Sequence, residues 1–185
     1  LNMLKYYGDC RREQMVSVHN KYFVPYTAFT NCEYYAFKHS RVSDMSFFEY
    51  SFLQGLAVTP NICLGELRTF LERVPAGKLN YVKSFIKKWL SFIRDNIDCW
   101  RYTKRLGDLA GAGANEAYSH INNDRGFICF VNQKPYSQKF TFRLNESIGL
   151  CQTAQNRWLL SEVYPSEFPL AEQSLPAALY NEQIT

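Results

Sequence analysis

"KLNYVKSFIKKWLSFIRDNID", residues 78–98, carries the clearest periodicity of the chain. Leu79, Val82, Phe85, Ile86, Trp89, Leu90, Ile93 and Ile97 recur at intervals of three and four. Lys83, Lys87, Lys88, Arg94 and Asp95 occupy the opposite face. That repeat matches 3.6 residues per turn, so the stretch predicts a long amphipathic helix laid on an apolar core, with its lysines solvated.

Working outward toward the N-terminus, "SDMSFFEYSFLQGLAV", Ser43 to Val58, predicts a second helix. Ser43 supplies an N-cap, Ser46 followed by Glu49 reads as a capping box, and Phe48, Phe52 and Leu56 share one face. "GELRTFLERV" predicts a short helix closed by Pro75-Ala76-Gly77. "KYFVPYTAF", residues 21–29, reads as a strand running into a loop at Pro25. Past residue 106 the period drops to two. Gly107, Gly111 and Gly113 read as a loose linker, and residues 117–122 and 126–132 as strands joined by a turn around Asn123-Asp124-Arg125-Gly126. "QKFTFRL" alternates, with Phe140, Phe142 and Leu144 on one face, and "RWLLSEVYP" predicts another strand stopped by Pro165. The polar tail is expected to wrap in extended form or to be disordered. The fold expected is therefore α/β followed by all-β. Parallel strands belong to a barrel or doubly wound sheet, an antiparallel β-sandwich covers residues 106–170, and residues 171–185 form the tail.

Composition narrows the function classes. The net charge of +4 is spread without a basic arm or stripe, so no nucleic-acid partner is expected. The apolar runs are too short to span a bilayer, and no leader is visible. An opening "LNML" without Met suggests that a longer protein precedes it, which leaves the compartment open, secretion and a periplasm included. Six cysteines show neither CxxC pairs nor a Cys/His framework, so no metal and no cofactor is expected. Disulfides are permitted and not required. Cys129, inside an apolar run, reads as a buried free thiol. The 16% aromatic share reads first as core.

Two segments carry a family resemblance. "GFICFVNQKPYSQKFTFRLNESIGL", residues 126–150, followed by "EVYP", runs through a strand ending in Asn, a Pro-bearing turn, an alternating strand and an acidic-Ser-Ile-Gly-Leu step. This order resembles the C-terminal β-sandwich of clan D glycoside hydrolases, the α-galactosidase-like TIM-barrel enzymes. "FIRDNIDCWRYTKRLGD" resembles the exit of their last barrel helix, and "SFFEYSFLQGLAVTPNICLGEL" the helix and final strand region before it. The resemblance covers most of residues 6–164. It implies that residues 1–105 are the C-terminal part of a (β/α)8 barrel, and that the activity is retaining hydrolysis of glycosidic bonds in a carbohydrate substrate.

The resemblance also implies site residues. "YYGDCRREQ" is similar to a degenerate form of a step in which a strand ends in Trp-Ser-Asp, with an Arg shortly after. By that match Asp9 is the general acid/base and Arg12, or Arg11, contacts a sugar hydroxyl, although Tyr7 and Gly8 replace the Trp and Ser. Retaining hydrolysis uses two carboxyl groups about 5 Å apart, and barrels place catalytic groups at the C-terminal ends of strands. Adjacent guanidiniums lower a carboxyl pKa, so an Asp–Arg ion pair accounts for the same residues. Glu33, after Asn31 in "FTNCEYY", is the next nearby carboxylate and either lines a pocket or belongs to a polar loop. His19 and His39 read as structural. A barrel takes about 250 residues, and the family's nucleophile lies on an earlier strand. The chain alone is therefore expected to be inactive, completed by a missing N-terminal part of the same protein or by a homo-oligomer. The other class of reading is a non-catalytic carbohydrate-binding or interaction module that presents Trp100, Tyr102 and Tyr118.

Overall fold

The structure is a computed structural model that describes residues 3–22, 31–32, 45–63, 67–111, 113–134, 136–151, 157–165, 168–169, 178–179 and 183–184. Helix α1 (Met3–Tyr22) comes first. Its inward stripe is Arg12, Met15, Val16 and the half-buried His19, a spacing of three, one and three that follows one helical face. Lys21 and Tyr22 are therefore the end of a helix and not a strand; residues 23–30 lie outside the described residues. Strands β1 (Asn31–Cys32) and β2 (Ile62–Cys63) pair in parallel, with Asn31 opposite Ile62. Parallel neighbours need a crossover, and α2 (Met45–Leu56) lies in the connection between them. Helices α3 (Leu67–Arg73) and α4 (Ala76–Asn96) follow. Pro75 separates them: its φ of −53° with ψ of 139° breaks one helix and presents the next.

The helices meet through aromatic rings. Phe48 of α2 stacks on Phe70 of α3 at 5.1 Å and tilts against Phe85 of α4 at 5.5 Å; Phe52 meets Phe85 edge-on at 5.6 Å. Trp89 and Trp100 close the same cluster. Each such ring contributes about 1.5–3 kcal/mol by leaving water, so the period-3.6 stripe read from residues 78–98 is what holds the helical layer. Glu49 does not close a capping box. Helix α2 starts at Met45, Ser46 is already inside it, and the Glu49 carboxylate accepts hydrogen bonds from the hydroxyls of Tyr81 and Tyr164. Ser43 lies outside the described residues.

A 3-10 turn (Cys99–Tyr102) delivers the chain to β3 (Thr103–Arg105), β4 (Asn115–Asn122) and β5 (Arg125–Asn132), an antiparallel sheet with β4 in the middle. Residues 116–121 of β4 are all buried, because both faces of the strand are covered. Alternation puts Glu116, Tyr118 and His120 on one face, with Val131, Cys129 and Phe127 as their cross-strand partners. On this face Tyr118 and Val131 pack with Met15, Val16, Ala57 and Val58. On the other face Ile121 packs with Leu144, Ile148 and Leu150. Asn123 and Asp124 form the two-residue hairpin loop, and Asn123 takes the left-handed φ of 61° that a short side chain tolerates.

Gly107 corrects the expectation of a loose linker. The amides of Leu106 and Gly107 both reach the Ala117 carbonyl, at 2.8 and 3.4 Å, and the Asp108 amide reaches Asn115 O at 2.9 Å. The chain stays bonded to β4, so close that a Cβ at position 107 would lie 2.0 Å from Asn115 O.

Six two-residue strands complete the fold. They are β6 (Phe142–Arg143), β7 (Arg157–Trp158), β8 (Ser161–Glu162), β9 (Phe168–Pro169), β10 (Ala178–Leu179) and β11 (Gln183–Ile184). The pairs β8–β9, β7–β10 and β6–β11 are antiparallel, so the tail runs back over the preceding segment. The strand expected over residues 157–165 is two short pieces, separated by Leu159 and Leu160. The architecture is mixed α/β, with helices in the first half and open antiparallel sheets in the second. Among the described residues no helix is long and apolar enough to cross a membrane.

Candidate functional site

The polar face of β4 meets the helical layer at a buried cluster. Arg12 Nε donates to Glu116 Oε2 at 2.8 Å and Nη2 to Oε1 at 3.0 Å, a forked ion pair with both side chains 0% exposed. Arg12 Nη1 donates to Gln54 Oε1 of α2 at 2.7 Å. The Tyr118 hydroxyl donates to Glu116 Oε2 at 2.9 Å, and the Gln133 amide donates to Oε1. One carboxylate therefore gathers donors from α1, from its own strand and from the end of β5. The planar guanidinium suits such a site because its parallel N–H groups match both carboxylate oxygens.

Four residues along the same face, His120 fastens the end of α2. Its Nε2 lies 3.0 Å from the Ala57 carbonyl, which can only accept, so the ring proton sits on Nε2. The Thr103 hydroxyl donates to the Trp100 carbonyl at 2.8 Å, and its oxygen lies 2.9 Å from Nδ1. The ring stacks on Phe127 at 4.7 Å. Burial pushes the imidazole down to about 4, against the hydrogen bond to Ala57, so it is neutral at pH 7. Trp100 Nε1 donates to the Leu56 carbonyl at 3.2 Å. The last carbonyls of a helix have no intrahelical partner; here aromatic side chains from the sheet region supply the donors.

This cluster joins α1, α2 and β4 through buried polar contacts. Arg12, expected to contact a sugar hydroxyl, is buried with its guanidinium bonded to Glu116 and Gln54. Asp9 and Arg11 lie inside α1, with Asp9 one turn before Arg12, and not at the end of a strand. The helix prevails there because its inward positions recur at three and four. Glu33 and His39 lie outside the described residues. Trp100 and Tyr118 are 1% and 0% exposed and cannot serve as sugar platforms; Tyr102, at 54%, is open to solvent.

A second polar group lies at the surface. Glu49 accepts from both Tyr81 and Tyr164, while Trp89 meets the Tyr164 ring edge-on at 6.2 Å and Lys88 Nζ donates to Val163 O at 3.0 Å. Burial first, and then the Glu49 bond, push the Tyr81 phenol up to about 12; the Tyr164 phenol is raised by the same causes. These contacts hold Val163 and Tyr164 against α2 and α4. Burial also raises the Cys99 thiol and pushes that of Cys129 up to about 12, so neither offers a thiolate nucleophile at neutral pH. Among the described residues no group of three or more His, Cys, Asp or Glu side chains is placed to hold a metal ion.

Glu116 is the residue that sequence reading passes over. In "NEAYSHIN" the polar residues Glu116, Tyr118 and His120 alternate with Ala117, Ser119 and Ile121, which ordinarily marks the polar face as the wet one. Here that face lies against the helices. No known protein family, curated protein or solved structure matches the chain.

Proposed function

We propose that the chain is the C-terminal part of a retaining glycoside hydrolase of α-galactosidase-like type, acting on glycosidic bonds of carbohydrates and inactive as this chain alone. The observation that supports the reading is the order of elements. A parallel β1–α2–β2 unit leads through the long helix α4 directly into an antiparallel sheet. That is the order implied for the last units of a barrel with an appended β-sandwich.

The same rule redirects attention among the carboxylates. Barrel enzymes use side chains at the C-terminal ends of their parallel strands. Glu33 follows Cys32, the last residue of β1, directly in sequence, whereas Asp9 is inside a helix. On this reading Glu33 is a carboxylate assigned to sugar binding, while the resemblance keeps Asp9 as the acid/base. A retaining enzyme needs a second carboxyl group about 5 Å from the first, and the resemblance assigns the nucleophile to an earlier strand.

The test is saturation-transfer NMR on the chain with galactose, glucose and N-acetylgalactosamine, beside an aryl α-galactoside hydrolysis assay. Galactose is expected to bind with a Kd of about 1–10 mM, to lose binding in Glu33→Gln, to keep it in Asp9→Asn, and to be accompanied by no hydrolysis. Absence of binding to every sugar, or binding indifferent to Glu33→Gln, overturns the reading.

A further inference from the structure

An open groove of about 360 Å³ runs between α3 and α4. Its floor is apolar: Leu67 and Leu71 come from α3, Ile86 and Leu90 from α4. Leu90 is 39% exposed, although it belongs to the apolar set of its helix. Lys83, Lys87 and Arg94 stand along the α4 side, all solvent-exposed. Positions 83, 87, 90 and 94 follow one another at four, three and four, so they form a single stripe of helix surface.

Among the described residues no ion pair includes Lys83 or Lys87. Lys83 and Lys87 are like charges one turn apart, an arrangement that disfavours a helix unless something offsets it. The neighbouring ion pairs, Arg68–Glu72 at 3.1 Å and Arg94–Asp95 at 2.7 Å, leave both lysines out. An apolar trough with two uncompensated cations along one wall is complementary to a surface that is apolar in the middle and acidic at the side.

We propose that the α3/α4 groove docks an amphipathic helix of a partner protein whose apolar stripe is bordered by Glu or Asp. A groove between two packed helices is the natural seat of a third. Eleven residues separate Lys83 from Arg94, about 16 Å of helix axis, so three turns of a partner span the charged wall. Two other occupants fit less well. A bilayer is flat, and it cannot fill a floor in which Ile86 is only 6% exposed and Leu67 and Leu71 are half-buried. A second copy in a two-fold pairing would bring this basic face onto itself.

The probe is a synthetic helical peptide of about 18 residues, roughly 27 Å long, with a leucine stripe bordered by glutamates. A control peptide carries lysines in place of the glutamates. Binding is followed by nitrogen–proton correlation NMR on the intact chain. The acidic peptide is expected to shift resonances of residues 67–71 and 83–94, and its affinity is expected to fall about tenfold between low and high salt as screening shortens the reach of the lysines. The exposed double variant Lys83→Glu/Lys87→Glu, its fold checked by circular dichroism, should reverse the preference between the two peptides. Leu90→Gln should weaken both. Equal binding of the two peptides, no binding, or shifts centred elsewhere overturns the proposal. So does self-association through this face in sedimentation, or charge-dependent binding to phosphatidylglycerol vesicles without peptide binding.

Discussion

Replacing Glu116 by Gln keeps the volume of the side chain and removes its charge, which isolates the buried ion pair. Two Arg12 nitrogens, the Tyr118 hydroxyl and the Gln133 amide converge on the two carboxylate oxygens. A glutamine offers one acceptor oxygen and turns a donor NH2 toward groups that are themselves donors. The Arg12 guanidinium stays buried and loses the carboxylate that two of its nitrogens face. Breaking one side of a buried pair costs about 3–5 kcal/mol, which for a chain of this size lowers Tm by roughly 6–20 °C. Urea denaturation followed by far-ultraviolet circular dichroism measures it at pH 7. Arg12→Met is expected to cost a similar amount. The double variant should lose less than the sum by at least about 2 kcal/mol, since removing both ions removes the unpaired charge as well. A Glu116→Gln loss below about 1 kcal/mol is the signature of an exposed pair, and it would refute the reasoning, as would strict additivity of the two substitutions.

His120 makes the fold acid-sensitive. Its folded-state value of about 4 lies below the ordinary 6.5, so the unfolded chain takes up the proton first. The stability it leaves intact above pH 6.5 is lost as pH falls toward 4, about 3 kcal/mol in all; in His120→Gln, urea midpoints should lose that part of their pH dependence between 6.5 and 4. Gly107→Ala should destabilise by at least about 2 kcal/mol, because its Cβ meets the Asn115 backbone and not a side chain that can swing away; thermal melts check this. With iodoacetamide at pH 8 and mass mapping, the exposed Cys151 should label well before Cys99 and Cys129, whose thiols burial holds protonated.

What was legible in the sequence follows the type of side chain on each buried face. Helix α4 announces itself because Val82, Phe85, Ile86 and Trp89 are all apolar, and the β4–β5 hairpin because residues 126–132 are apolar around a polar turn. Helix α1 does not. Its inward stripe includes Arg12, and a buried cation breaks the hydrophobic pattern that marks a helix. The partner that makes this burial tolerable, Glu116, lies 104 residues away, and nothing local to Arg12 points to it. The same blindness hid the site. An arginine preceded by another arginine looks like a solvent-facing or catalytic step until the strand that receives it is known. The two-residue strands β6 to β11 are too short to carry a period at all.

The distance between Arg12 and Glu116 along the chain also bears on how the molecule is made. At a synthesis rate of about 5–20 residues per second, Arg12 leaves the ribosome roughly 5–20 s before the carboxylate it needs. During that interval α1 has a cation on the face it must bury and lacks the carboxylate that its fork receives in the folded protein. Helix α1 therefore gains its forked ion pair only after β4 has emerged and found its place, while the Phe48–Phe70–Phe85 cluster, drawn from residues closer together, is complete earlier. Newly made chains held at lengths ending before residue 116 should show α1 more open to protease than the α2–α4 layer, so a holdase that covers residues 3–22 would act in that window.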